Sequence, residues 1–570
     1  MGRLSGGRLA ERLAPWGPIG FCTLWRLPGL GEPPWLNDEG VYAMVGRALL
    51  HGEKLYRQVW ENKPPAIYLV NATAERLGGA GHVITSMRLL ALAASVIALA
   101  ALYRLMAAEC GIGAARLAVI VAGIGLDLPL IDGTEANAEI FVAAASAIGM
   151  ALVWSAVRAR ADDSPRFPAS GPALMFAGIA FGIGVLFKLP AGADGLAAAL
   201  VVIFHKRRIA RLAALLLGAV IPLGVVTGWL AGQGLVGDAL YATIGYNRGY
   251  VSTGQSLHSP IVGLFTVLAP LAALGAGAVI AWRGRRAGLP FGAGAAWWLG
   301  LALLGALVSG RTYPHYFLPA VVPAAICVVL LLDGLVREKA VAGGAQPRGV
   351  GRFRGTRLKG GEPDALPGDL VTGTTGHVSQ PAHSSGPRPD VGTRSSASAY
   401  RRTVVGLVAA WAILVPLTSF VALRLGGGHP APGSDTLAYY AYFWLHQTGG
   451  LDDAAYGNRI DPRVERNIAV AEYLKRHPRP PNRLYVWGNA PWIYYLSGYE
   501  HATRFLSAFY RPVVPGSGAS VLPGLRGNPP SYVVLIKPAN PPAAGLAPFL
   551  RLHYRPVFQV ENAVIYGLGQ

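Results

Sequence analysis

The chain has 570 residues, of which 52% are hydrophobic and 14% charged, and it carries a formal net charge of +20. A mean hydropathy of +0.38 is too high for a water-soluble enzyme of this length, and apolar runs of about 20 residues, the span of a bilayer's hydrocarbon core, recur along it. A soluble globular enzyme is excluded, and a polytopic membrane protein is the expectation.

Excess positive charge is often a nucleic-acid footprint. Here the basic residues gather on alternate loops, which is the pattern of membrane topology instead, so no nucleic-acid partner is expected. Cys22, Cys110 and Cys327 are scattered. They show neither metal spacing nor a disulfide framework.

Residues 1–12 are basic, and 16–30 are apolar but short, interrupted by Pro18, Arg26 and Pro28. Without a convincing cleavage site they read as a marginal first span. Later spans fall near 86–107, 114–131, 138–158, 172–187, 190–204, 209–232, 260–282, 291–309, 314–335 and 403–425. With the first, that gives about eleven. If the N-terminus is cytoplasmic, the inner loops carry Arg104 with Arg116, Arg158 with Arg160, Lys206 to Arg208, Arg283 with Arg285, and Arg337 with Lys339. The outer segment 127–137 has Asp127, Asp132 and Glu135 and no basic residue. The positive-inside rule therefore fits the alternation, first span included.

The stretch 1–336 reads as the membrane-embedded functional region, with an outer loop at 31–84. Residues 337–402 are rich in Gly, Pro, Ser, Thr and Arg; such a composition cannot bury enough apolar surface to fold and predicts a disordered cytoplasmic insertion. After a last span at 403–425, residues 426–570 change character. A helix is predicted over 463–477, and 483–487, 531–536 and 557–566 read as strands. The expected fold is an all-α polytopic membrane protein with a small C-terminal extracytoplasmic α/β domain.

The most informative stretch is 37–65, NDEGVYAMVGRALLHGEKLYRQVWENKPP. Asp38 and Glu39 follow the first apolar segment at the outer boundary, and carboxylates at membrane depth are costly and usually functional. One can take the proton of an attacking hydroxyl while the other orients the acceptor or a metal ion; the competing reading is a solvated acid that caps a helix. Lys63-Pro64-Pro65 comes next. Prolines suit a helix start, so 66–77 reads as a short interfacial helix whose positive end, with Lys63, can cradle a phosphate; the competing reading is an interfacial lysine that contacts lipid headgroups. Asp132, Glu135 and Glu139 form a second acidic cluster on the same side, which helix-end complementation would also explain. Lys188, Arg248, Arg311, Tyr313, His315 and Tyr316 are further cationic or hydroxyl groups that can stabilise a departing phosphate, or anchor the membrane interface.

Taken together, DEGVYAMVGRALLHGEKLY, KPPAIYLV and RLLALAASV resemble the membrane glycosyltransferases of the GT-C class. The likeness is to the bacterial branch similar to protein O-mannosyltransferases and the lipid A aminoarabinose transferase. ANAEIF, VLFKLPAG, RTYPHYFLPAVVPA and RLYVWGNAPWIYYLSG resemble later landmarks of that branch. The resemblance implies a cell-membrane enzyme that moves a hexose or pentose from a polyprenyl-phosphate carrier to a glycolipid, polysaccharide or protein acceptor at the outer face. It implies that Asp38 activates the acceptor, that Glu39 assists, and that Lys63 binds the carrier phosphate, with Lys188, Arg248 and the Arg311 to Tyr316 segment as looser donor contacts. No cofactor is required by the motifs, and a divalent metal is optional. In-line attack predicts inversion at the sugar carbon. The rival from a different class is a lipid or solute transporter or flippase, but no internal repeat supports it.

Overall fold

The structure, a computed structural model, describes residues 15–158, 170–205, 207–252, 260–284, 289–308, 313–342, 436–508, 517–538 and 545–569. The predicted span at 403–425 and most of the insertion at 337–402 lie outside them, as does Arg311.

The membrane region begins with α1 (Trp16–Leu30), α2 (Asn37–Leu50), α3 (Ala66–Cys110) and α4 (Ile112–Leu126). Arg26, which interrupts the first apolar run, is buried: it pairs with Asp127 at 2.5 Å and donates to the carbonyls of Gly133 and Glu135. A short first helix is thereby tied to the segment between α4 and α5 (Ala138–Arg158). The predicted interfacial helix at 66–77 and span at 86–107 are both parts of α3, which kinks at Gly79. There the backbone takes φ 64, a left-handed value that glycine adopts without a Cβ penalty. The predicted span 114–131 ends earlier, at Leu126, and Pro129–Ile131 forms a 3-10 turn instead, because Pro129 cannot supply the donor that would continue a helix.

Next come α6 (Ser170–Phe187), α7 (Gly192–Ile203), α8 (Arg208–Gly232), α9 (Val236–Leu240), α10 (Tyr246–Ser252), α11 (Pro260–Gly284), α12 (Phe291–Leu307) and α13 (Leu318–Ala342). Helix α13 runs a few residues into the predicted insertion. Four of the described helices, Gly81–Cys110, Ala138–Arg158, Arg208–Gly232 and Pro314–Asp333, are long and apolar enough to cross a membrane. Helix α8 leaves Leu216, Leu217, Val220 and Val225 exposed, a face suited to lipid. It meets α6 closely, since a Cβ on Gly178 or Gly218 would fall 2.0 Å from the carbonyl oxygen of Leu215 or Met175. Small residues permit such backbone approach where no water drives helices together.

The C-terminal unit comprises α14 (Thr436–Gln447), α15 (Asp453–Ile460), α16 (Arg463–Arg476), β1 (Arg483–Trp487), α17 (Trp492–Ser497), β2 (Glu500–His501), α18 (Ser517–Gly527), β3 (Tyr532–Ile536), α19 (Leu546–His553), β4 (Tyr554–Val560) and β5 (Ala563–Leu568). Its sheet has the order β2-β1-β3-β5-β4. Strand β1 is parallel to β2 and β3, and the β4–β5 hairpin adds antiparallel on β3. Successive strand side chains point to opposite faces. Leu484 and Val486 accordingly join the core with Val470 and Leu474 of α16, whereas Tyr485 and Trp487 pack with Val521, Leu525, Phe549 and Leu550. The predicted strand 557–566 is divided between β4 and β5 by a turn at Glu561, φ 46.

Candidate active site

Asp38 and Glu39 stand in the first turn of α2, where carboxylates complement the helix's positive end. Adjacent helical positions differ by about 100° around the axis, so the two acids face different surroundings. Asp38 is partly open, its side chain 37% exposed. Tyr42, one turn on, donates to Asp38 Oδ2 at 3.0 Å. Glu39 is wholly buried and meets Arg88 of α3 at 2.9 Å; its Oε1 accepts from the Ala136 amide at 2.8 Å. It therefore faces the protein interior.

Lys63 pairs with two acids. Its Nζ lies 3.2 Å from Asp38 and 3.7 Å from Glu61, and 4.8 Å from the centre of the Tyr42 ring. The turn that presents it is held by its own backbone. The Lys63 amide donates to Glu61 Oε2 at 2.9 Å, and its carbonyl accepts from Tyr56 at 2.9 Å. Tyr68 in the first turn of α3 donates to Glu61 as well. Pro64 and Pro65 then begin α3. Burial alone would lift the Asp38 carboxyl, but Lys63, His315 and the Tyr42 hydrogen bond outweigh it and hold the group down at about 2. Lys63, in turn, is raised: burial lowers it, and Asp38, Glu61 and Glu139 more than compensate.

The second acidic cluster engages His315 and Lys188. Asp132 adopts φ 52, and its carboxylate holds His315 Nδ1 at 2.9 Å. His315 Nε2 lies 4.0 Å from Glu139, which pairs with Lys188. Lys188 also sits 3.3 Å over the ring of Tyr316; Tyr313 stacks on His315, and Tyr316 meets both edge-on. Below Lys188 and Tyr316 a groove runs past Val142, Ala191, Ala302 and Pro319 to Asp194. Asp194 accepts from Ser146 at 2.8 Å and Trp298 at 2.9 Å.

Glu135 departs from its neighbours. It is fully buried and pairs with Arg88 at 3.1 Å. Burial pushes its carboxyl well above the usual range; Arg88 pulls it down, Glu39 and Glu32 push it up, and burial with two acid neighbours prevails. Glu39, Glu135 and Arg88 thus form a packed block.

The structure pairs Asp38 with Lys63 and brings Asp132, His315, Glu139, Lys188 and Tyr316 into a second set of contacts. Arg248 is exposed on α10, and among the described residues no hydrogen bond or ion pair joins it to either set. Sequence reasoning passed over Tyr42, Glu61, Tyr68 and Arg88. Tyr42 was detectable by its four-residue spacing from Asp38; the others were hidden inside segments read as loop or lipid-facing helix. Among the described residues, no group of three His, Cys, Asp or Glu side chains forms a set that could hold a metal ion.

Residues 62–231 match the family described as dolichyl-phosphate-mannose-protein mannosyltransferase. That segment contains Lys63, Asp132, Glu139 and Lys188. No curated protein matches the sequence. Among solved structures, the fold is similar to ArnT from Cupriavidus metallidurans bound to undecaprenyl phosphate, at 15% identity and a TM-score of 0.52, over 99% of this chain and 98% of that one. The Archaeoglobus fulgidus oligosaccharyltransferase tethered to an acceptor peptide matches with 14% identity and a TM-score of 0.43, over 98% of this chain and 74% of that one. The chain therefore has an ArnT-like fold and resembles the GT-C glycosyltransferases.

Proposed function

We propose that this protein is a membrane glycosyltransferase that moves a sugar from a polyprenyl-phosphate carrier to an acceptor at the outer face of the membrane. The observation that carries the reading is the partly exposed Asp38–Lys63 pair together with the cationic and aromatic cluster of Lys188, His315 and Tyr316 around Glu139. The match of 62–231 to a mannosyltransferase family and the undecaprenyl phosphate bound by the ArnT relative support it. The inner loops' basic excess supports an extracytoplasmic site.

In this reading the acceptor hydroxyl attacks the anomeric carbon as the bond to the carrier phosphate breaks. Its proton passes to Asp38, and the carrier leaves as a polyprenyl phosphate. Lys63 and Lys188 neutralise the phosphate, with His315 and Tyr316 beside them. A carboxylate held at about 2 is a weak base. A phosphate that draws Lys63 away restores its basicity, so donor binding primes the base. Glu39 serves by anchoring α2 to Arg88, and the groove below Lys188 is the natural course for the isoprenoid chain. Direct displacement predicts inversion.

The test is Asp38→Asn in purified protein supplied with labelled undecaprenyl-phosphate-linked hexoses and pentoses and an envelope extract as acceptor. Transfer should disappear while expression and membrane insertion stay normal. Near-normal transfer would remove Asp38 from the mechanism.

A further inference from the structure

One segment of the C-terminal unit touches the helix that bears Asp38 at both ends. At the start of α2 the cap residue Leu36 offers no side-chain cap. The indole of Trp492 reaches across and donates to the Leu36 carbonyl at 2.8 Å. In the amide orientation that satisfies both, the Asn37 side chain donates to the Asn489 main-chain carbonyl and accepts from the Asn489 side-chain amide, at 3.1 Å each. One turn later, Gly40 packs flat against the same segment. A Cβ there would lie 3.1 Å from both Pro491 and the Trp492 ring, closer than side-chain carbons ordinarily pack, so glycine suits this approach.

The far end of α2 is gripped too. Arg47 donates to the Tyr495 carbonyl at 3.3 Å and lies 3.7 Å over the Tyr495 ring. Both groups share Glu75 of α3: Arg47 Nε at 3.2 Å and the Tyr495 hydroxyl at 2.5 Å. Trp492 and Tyr495 are themselves buried. They belong to the short helix α17 that follows β1, so the sheet fixes their position. Side chains that hold a functional group in place need rotamers locked by packing, and Trp492 satisfies this.

From these contacts we infer that residues 489–495 are a positioning element of the active site, setting the phase and height of the first turn of α2 and hence of Asp38. The C-terminal unit is then a structural part of the catalytic machinery rather than an appended domain. This rests on the reading of Asp38 as the base. A helix turn displaced by about 1 Å can cost about a hundredfold in rate, whereas carrier binding through Lys63 and Lys188 does not pass through this contact.

The experiment uses full-length protein in lipid nanodiscs and two variants, Trp492→Phe, which keeps an aromatic ring but deletes the N–H donor, and Asn489→Ala at an exposed position. Hydrogen exchange of peptides covering 36–44 should quicken up to about tenfold in Trp492→Phe, the factor one hydrogen bond sustains, and by less in Asn489→Ala. Peptides from β1 and α16 should exchange as in the parent. Turnover with undecaprenyl-phosphate-linked sugars should fall about tenfold or more at unchanged KM, and binding of undecaprenyl phosphate alone should stay within about twofold. Unchanged exchange over 36–44 in both variants overturns the inference, as does normal turnover despite faster exchange. Should Trp492→Phe also loosen β1, Asn489→Ala decides on the same criteria. Normal transfer by Asp38→Asn would sink the assignment of the base alone, because the exchange comparison does not depend on it.

Discussion

Replacing Arg88 by Met tests the buried block. Arg88 reaches Glu39 at 2.9 Å and Glu135 at 3.1 Å, with the side chains of all three fully enclosed. It also donates to the carbonyls of Gly29 at 3.1 Å and Glu32 at 2.6 Å. Removing one partner of a buried ion pair costs about 3–5 kcal/mol, because the survivor keeps its charge without compensation. Glu39→Gln should cost less, about 1–3 kcal/mol, since Glu135 remains beside Arg88 at 3.1 Å as a second carboxyl partner. The double variant Arg88→Met with Glu39→Gln removes both the cation and the stranded anion. It should therefore be more stable than Arg88→Met alone, a coupling on the order of 2 kcal/mol. Thermal unfolding of the detergent-solubilised protein gives the order of midpoints: parent, then the double variant, then Arg88→Met. A double variant that unfolds below Arg88→Met, with losses that simply add, would refute this account of the block.

Lys63→Ala should weaken undecaprenyl phosphate binding about tenfold, the loss of one charge-assisted contact, measured by microscale thermophoresis; unchanged affinity would remove Lys63 from the phosphate site. The depressed Asp38 group makes a pH prediction. Its contribution to stability is complete above its ordinary value of 3.8 and fades as pH falls toward about 2. The stability gap between parent and Asp38→Asn should then shrink across that window and stay flat above about pH 5; a gap that changes near neutrality contradicts the assignment. Gly178→Val should lower the thermal midpoint, with a cost near the upper end of overpacking, about 3 kcal/mol, because a Cβ there would lie 2.0 Å from the Leu215 carbonyl oxygen. A neutral outcome would mean that α6 and α8 do not approach as described.

Much of this was legible from residue order, for identifiable reasons. The helices at 138–158 and 16–30 follow from apolar run length, and Asp38 stood out as an acid just beyond such a run. The different fates of Asp38 and Glu39 were not legible, because neighbours in sequence part company only once the phase of α2 against α3 is known. Arg88 lies next to an apolar run, RLLALAASV, and nothing local tells whether such an arginine faces lipid or a buried acid. Strand β4, YRPVFQV, is an edge strand with a proline and an exposed arginine, so its alternation is weak. The helices α18 and α19 were missed because glycine and proline interrupt the first and the second is only eight residues long and contains a proline.

The placement of Arg88 also bears on how the chain enters the bilayer. It stands on the long apolar part of α3, Gly81–Cys110, about 10 Å along from that part's start at about 1.5 Å per residue. A lone arginine costs about 2.5–3.5 kcal/mol at the centre of an inserting helix and less toward its end, where Arg88 stands, and its two acidic neutralisers lie on separate stretches, Glu39 synthesised before it and Glu135 after. During biogenesis, therefore, this helix should linger at the translocon with its arginine only half satisfied until the α4–α5 turn emerges, and a ribosome stalled before residue 135 should leave it easily extracted from the membrane.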